Sequence, residues 1–412
     1  MMAKNETEIS KAEGKAGEAS VSIGPEDLLP RLRDQGYTEE HLRRRRAWVE
    51  EKTGAKLKHM GNFSVDPAQM RGNIENPVGV AQVPLGVAGP VLVHGEYAQG
   101  LFYVPMATSE GALIRSYERG MVTLSHAGGV QTALLEDENQ ITPTFFFAEV
   151  AQARAFSRWV PLHLPEMQIE AAKTTRNGAL KNVKCYQLGR QVLVNFGYHT
   201  GDAQGMNMIV KATEAVCQWI QKAHHGLRYL IFSGMCSEKR PSGFLLTRGK
   251  GKRVTAGALL PHSVLKTYLR VTAEQLFQVW HSTVLGHLQA GSIGYNAHYA
   301  NGLTAIFIAT GQDVANVVHA ACGVTYFELQ PEGLFVSATL PALSVATVGG
   351  GTGLPTQREA LEIMGCVGRG KARKLAEIIA AAVLGGEISM GAALASGEFS
   401  AAHERYGRNR PE

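Results

Sequence analysis

Two stretches of the chain concentrate cations without a single acid. Residues 171–200 carry Lys173, Arg176, Lys181, Lys184 and Arg190, and residues 239–253 carry Lys239, Arg240, Arg248, Lys250, Lys252 and Arg253. Cations at that density suit polyanionic ligands such as phosphate-bearing cofactors, set against the plainer alternative of a solvated basic surface. A third run, Arg43–Arg46, reads as a solvated helix face or as an anion site.

Other patterns point to chemistry and then withdraw it. Gly365–Ala372 (GCVGRGKA) nearly matches the phosphate-cradling GxxxxGK[ST] loop, but Ala372 has no hydroxyl for magnesium. The preceding QREALEIMG reads as a helix, where that loop needs a strand. No GxGxxG follows a strand either, so a doubly wound dinucleotide site is unsupported. The run Gly349–Gly353 marks a turn where backbone segments approach closely. Five cysteines (Cys185, Cys217, Cys236, Cys322, Cys366) contain no CxxC pair. That argues against a disulfide framework and a zinc ribbon; no metal site is expected, and a reducing cytoplasm is.

The elements that must position these groups follow from local pattern. EDLLPRLRDQGYTEEHLRRRRAWVEEKTG suggests short helices, and NPVGVAQVPLGVAGP (76–90) suggests extended strands and turns. In MATSEGALIRSYERGMVTLSHAGG, Thr108 and Ser109 are N-cap types ahead of a mostly buried helix. Residues 144–235 read as strand (TFFFAEV), helix (PEMQIEAAKTTRNG), hairpin (KCYQLGRQVLVNFGY), helix (MNMIVKATEAVCQWIQKAHHG) and strand (RYLIFSG), a small split βαβ sandwich. Helices and buried strands fill the rest, an α+β arrangement without a repeat.

Composition sets the class. The 412 residues are 45% hydrophobic and 19% charged, with net charge +5, which excludes a disordered chain, a collagen and a coiled coil. No nucleic-acid partner is expected from so small a surplus. The most apolar stretch, Ile378–Leu384, is far below the ~18 residues of a membrane span, so no membrane is expected. The opening residues 1–23 have no apolar core and read as a solvated, disordered tail.

Eight stretches together resemble one family, 3-hydroxy-3-methylglutaryl-CoA (HMG-CoA) reductase: ENPVGVAQVPLGVAGP (75–90), VPMATSEG (104–111), GDAQGMNM (201–208), CSEKRP (236–241), GSIGYNAHYAN (291–301), IATGQD (308–313), TVGGGTGLPTQ (347–357) and ISMGAALASG with His403 (388–403). The helical loop around CSEKRP and the basic C-terminal end are similar to the soluble catalytic part of class I, found in eukaryotes and archaea. The resemblance implies NADPH-dependent, four-electron reduction of an acyl-CoA thioester to a primary alcohol, HMG-CoA to mevalonate in isoprenoid biosynthesis. A catalytically dead binding protein on the same fold is the rival class, and retention of the four catalytic matches argues against it.

Each hydride addition places negative charge on a carbonyl oxygen, which a preorganised cation must meet. By its match in CSEKRP that cation is Lys239. Glu110 of ATSEG matches the proton donor, a role that at neutral pH needs burial to raise a carboxyl pKa. Asp313 of GQD matches the aspartate linking lysine and glutamate, and His403 the histidine that protonates the departing thiolate. The resemblance gives the cofactor to Thr175, Arg176, Asp202, Gly205, Met206, Asn207 and Arg408, with Gln204 where a methionine is usual. An arginine fork at a phosphate monoester favours NADPH over NADH. The CoA phosphates would meet Arg248–Arg253.

For the acyl group the resemblance gives Ser233, Glu238, Arg240, His298, Asn301, Leu113, Met390, Leu394 and Phe146. Here the pattern departs. A family arginine falls on Phe146 or a neighbour, in the cation-free run TPTFFFAEV, and a family lysine falls on Ser282. Two readings follow: an HMG-CoA reductase with shifted carboxylate partners, or a related reductase for a less charged acyl group on CoA or a carrier protein.

The implied architecture is a large, mostly helical CoA and substrate domain (75–145 and 240–412) around a long central helix. A small ferredoxin-like NADP-binding domain (146–231) is inserted in it, a catalytic loop (232–239) connects the two, and an N-terminal helical domain spans 24–74. The family's site forms between subunits, so a homodimer or higher oligomer is expected.

Overall fold

The computed structural model describes residues 29–30, 36–175 and 177–397. Arg176, His403, Arg408 and the expected N-terminal tail lie outside them. The helices and strands run α1 (Glu39–Thr53), β1 (Leu85–His94), β2 (Gln99–Ala107), α2 (Leu113–His126), β3 (Val130–Ile141), β4 (Thr144–Phe146), α3 (Val150–Leu162), α4 (Leu164–Ala172), β5 (Ala179–Leu188), β6 (Gln191–His199), α5 (Met206–Ala223), β7 (Tyr229–Leu230), α6 (Gly243–Arg248), β8 (Gly251–Pro261), α7 (His262–Val264), α8 (Ala273–Ala290), α9 (Tyr299–Thr310), α10 (Val317–Ala320), β9 (Val324–Gln330), β10 (Gly333–Leu343), α11 (Pro355–Ile363) and α12 (Ala372–Ala395).

Two compact units divide the chain at residues 81/82. In the first, the Thr38 hydroxyl accepts from the His41 amide to cap α1, and Gly54 closes the helix at φ +71°. The four-arginine run on α1 is not a uniform solvated face. Arg45 is buried and donates to the carbonyls of Gly36 (2.7 Å) and Pro77 (3.1 Å), so it ties the loops to the helix. Arg43 pairs with Glu40, and Arg46 donates to the Val78 carbonyl.

The second unit is mixed α/β, its strands joined in a ten-stranded sheet of order β7-β4-β6-β3-β8-β10-β9, with β1–β2 pairing onto β3 and β5 onto β6. Every pairing is antiparallel except β1 with β3. One hydrophobic cluster gathers α2, α9, α12 and strands β1, β2, β8 and β10; a second gathers α3, α4, α5 and β4–β7.

Helix α12 runs through the first cluster. Eighteen of its residues are buried, all but a few of them apolar. By length and composition it could cross a membrane, yet 78% of its apolar window is buried inside the protein. The sequence reads a helix over 370–385; glycines and small residues extend it to Ala395. Its close approach to α2 needs glycine: a Cβ at Gly120 would lie 1.8 Å from the Gly385 carbonyl oxygen.

Local pattern missed α3. Glu149 and Gln152 form a capping box ahead of it, and Ala153, Phe156 and Val160 are its buried face. Thr108 and Ser109 do not cap α2: its first flanking residue is Ala112, in left-handed conformation without a side-chain cap.

Candidate active site

The loop between β7 and α6 carries CSEKRP. Lys239 Nζ lies 2.7 Å from Asp313 Oδ2. Asp313 follows the C-terminus of α9 and works with both oxygens, because Oδ1 accepts from the Ala315 amide (3.2 Å) to start the next turn. The backbone N–H of Lys239 donates to Nδ1 of His319 (3.1 Å), a residue on α10 that no motif singled out. Nothing in the local pattern could have found it, since the contact spans eighty residues.

Glu110 sits before α2, its amide held by the Thr108 hydroxyl at 2.9 Å. Both its carboxylate oxygens accept from the Asn301 side-chain amide, at 3.0 and 3.1 Å. Asn301 stands in the first turn of α9, so one helix presents Asn301 near its start and Asp313 just past its end. Glu110 is exposed, without the burial expected of a proton donor. Among the described residues no hydrogen bond or ion pair joins Glu110 and Asn301 to Lys239 and Asp313. Leu113, three residues on, is buried in the first cluster.

The start of α9 is fixed from α12. Glu387 accepts from the amides of Ala297 (3.0 Å) and His298 and from the Thr325 hydroxyl (2.9 Å). Burial pushes the Glu387 carboxyl up to about 7, against these donors. His298 is itself buried, its carbonyl accepting from the Tyr117 hydroxyl at 2.7 Å. Further along α12, Met390 is half-buried, and exposed Leu394 lines an apolar depression with Val279, Trp280, Gly391 and Glu387.

A second depression, of about 490 Å³, is lined by Phe232, Gly234, Cys236, Glu238, Lys239 and Arg240. Arg240 is exposed there, and the Ser233 hydroxyl accepts from the Met235 amide. Glu238 Oε2 lies 2.8 Å from the ammonium of Lys250, which is buried. Ser282 is exposed on α8. The run around Phe146 is cation-free in sequence but not in space. The Arg228 guanidinium, beside β7, lies 4.1 Å from the Phe146 ring centre, and its carbonyl accepts from the Phe146 amide.

The acid-free segment 239–253 is likewise paired in space. Antiparallel register sets Glu136 opposite Arg253 and Asp137 opposite Lys252. Asp137 meets buried Lys252 at 3.3 Å and Arg373 at 3.0 Å, Glu136 meets Arg253 at 3.4 Å, and Glu138 pairs with Arg248. Arg248, Lys252 and Arg253 thus form an ion-pair ladder with β3.

The GDAQGMN loop leads into α5. Gly205, at φ +79°, makes the turn, and a Cβ there would lie 2.6 Å from the Thr200 methyl. Met206 packs on the second cluster, while Asn207 is exposed beside a depression of about 460 Å³ that also includes Thr174 and Lys211. The Thr175 hydroxyl accepts from the Asn177 amide at 3.2 Å. Asp202 turns inward: its carboxylate accepts from the amides of Gly370 (2.7 Å), Lys371 (3.0 Å) and Ala372 (3.0 Å). The glycine loop that mimics a phosphate cradle thus holds the protein's own carboxylate at the N-terminus of α12. Burial works to raise the Asp202 pKa, but these donors outweigh it and hold it below the ordinary range.

Comparison with known proteins converges on one family. The family model for hydroxymethylglutaryl-coenzyme A reductase matches residues 41–408. The 3-hydroxy-3-methylglutaryl-coenzyme A reductase of Pyrococcus abyssi is 44% identical over 374 residues, covering 88% of this chain and 92% of its own. The Dictyostelium discoideum reductase 1 is 34% identical, covering 88% and 68%. Among solved structures, the class II reductase of Streptococcus pneumoniae, described as bound to NADPH in open conformations, superposes with TM-score 0.67 at 20% identity, covering 87% of this chain and 99% of its own. The chain belongs to the hydroxymethylglutaryl-coenzyme A reductase family.

Proposed function

We propose that the protein reduces HMG-CoA to mevalonate with two NADPH, releasing CoA. The carrying observation is the 2.7 Å contact of Lys239 with Asp313 in a chain of this family. The Lys239 ammonium meets the carbonyl oxygen as each hydride arrives, so the developing charge finds a cation already in place. Asp313 keeps that ammonium aimed, and Glu110, oriented by Asn301, gives the proton that completes the alcohol. His403 serves the departing thiolate. NADPH supplies the hydride.

The second hydrophobic cluster serves as the nucleotide domain (146–231), inserted in the larger substrate domain. Its exposed Asn207 and Lys211 fit a phosphate-bearing dinucleotide, with Thr175, Gly205, Met206, Arg176 and Arg408 completing the set. Asp202 takes part by fixing this loop to α12. The acyl carboxylate is met by Arg240 and Ser233, and Arg228 on Phe146 brings a cation where the run itself has none. That favours the charged acyl group over an apolar one.

A homodimer completes the site. Glu110 is exposed, and Leu85, Val87, Leu101 and Tyr103 leave an apolar face of β1–β2 uncovered in one chain. The five cysteines are free, which suits a reducing cytoplasm.

The test is NADPH oxidation with HMG-CoA and with uncharged acyl-CoA thioesters in parallel. Turnover of HMG-CoA is expected. Turnover of the apolar thioesters alone would transfer the assignment to the second acyl class, and none with either would overturn it.

A further inference from the structure

We propose that His319 is the positioning residue for Lys239, holding its backbone as a neutral ring protonated on Nε2. The inference rests on the reading above that Lys239 is the cation of the reaction.

Lys239 adopts φ +55° and Ser237 φ +50°. A left-handed backbone is unfavourable for a residue with a side chain, so two of them within three positions need an external hold. His319 supplies it. Its ring is fully buried, with Nδ1 3.1 Å from the Lys239 amide nitrogen and Nε2 3.0 Å from the Ser344 hydroxyl.

The tautomer follows from valence. A backbone N–H can only donate, so Nδ1 must present its lone pair, and the single proton of a neutral imidazole sits on Nε2. Nε2–H then donates to Ser344 Oγ, whose own proton points to the Lys250 carbonyl (3.4 Å). The charged groups around the ring are Lys250, Asp313 and Lys239. Burial, then the Lys250 charge, lower the ring's pKa to about 3, so it stays neutral and keeps its acceptor across the working pH range.

One short segment therefore grips the lysine at both ends. Asp313 takes the ammonium, and His319, six residues on, takes the main-chain N–H. Between them they set where Nζ stands without competing for it.

The experiment combines nitrogen NMR of histidine-labelled full-length protein with kinetics of His319→Ala, His319→Asn and Lys239→Ala. The His319 ring should show an unprotonated Nδ1 and a protonated Nε2, unchanged from pH 6 to pH 9. H319A should lower kcat about tenfold, the size of one lost hydrogen bond, with the KM for NADPH unchanged. H319N, whose amide oxygen can take the place of Nδ1, should recover most of that loss. A ring protonated on Nδ1, an H319A enzyme as fast as the parent, or an H319N enzyme as slow as H319A would overturn the inference. The NMR measurement needs no variant, so it decides even if H319A fails to fold. Turnover by K239A would instead sink the reading of Lys239 itself.

Discussion

Asp202 and Ala372 are 170 residues apart, yet the carboxylate of the first accepts the amide of the second at 3.0 Å. That bond, with those from Gly370 and Lys371, joins the GDAQGMN loop to the first turn of the central helix. The GDAQGMN loop is therefore mechanically continuous with the core. Replacing Asp202 with Ala should cost about 1–2 kcal/mol of stability, the size of a lost helix cap, and should raise the KM for NADPH. Thermal melting and initial rates read the two effects.

The same carboxylate gives a pH dependence. Its folded pKa lies below the ordinary value of 3.8, so its contribution is complete above that value and lost as pH falls through the folded pKa. Melting temperatures of the wild type and Asp202→Asn should differ most above about pH 4 and converge in stronger acid. A constant difference across that range would contradict the assignment.

Glu387 should act with the opposite sign. Its folded pKa is raised to about 7 from 4.5. The folded state thus holds the proton more tightly, and its contribution is full below 4.5 and lost as pH rises through about 7. Glu387→Gln keeps an acceptor for the α9 amides without the buried charge. Its melting temperature relative to wild type should climb between pH 4.5 and 7 and level off above.

Asp313→Asn removes the charge opposite Lys239 while keeping a capping oxygen for the Ala315 amide. We expect kcat to fall about 100-fold or more, with the melting temperature little changed. Steady-state kinetics beside melting curves check it; a parallel loss of stability would make Asp313 a structural cap first.

Asn301→Ala leaves Glu110 without its two amide contacts. A loss of about tenfold in kcat is expected, with NADPH binding unaltered. Fluorescence titration with NADPH separates the two. Weakened cofactor binding would show that Asn301 acts through the fold of α9 instead.

Much of the fold is legible locally. The alternation in KCYQLGRQVLVNFGY predicts the β5–β6 hairpin, and the apolar run at 378–384 lies at the heart of α12. The helical reading of QREALEIMG, which disqualified the phosphate loop, is α11. The motif order was enough to indicate the family. Those features depend on period and composition over ten or twenty residues, which the chain encodes by itself.

Charge partnership is where the sequence stops. Residues 239–253 hold no acid of their own, but Arg248, Lys252 and Arg253 meet Glu138, Asp137 and Glu136 of the antiparallel neighbour β3. The Phe146 run looks cation-free because Arg228 reaches it from beside another strand. The partners of the Asp202 carboxylate, at the N-terminus of α12, stand about 170 residues away in the chain. His319 belongs to no motif, yet it accepts the backbone N–H of Lys239. Sequence determined most of the elements, the family and the residue types that can carry the chemistry. Tertiary structure decided which charges are already spent on one another. Coulomb and hydrogen-bond energies depend on ångström separations in space, and separations along the chain do not record them.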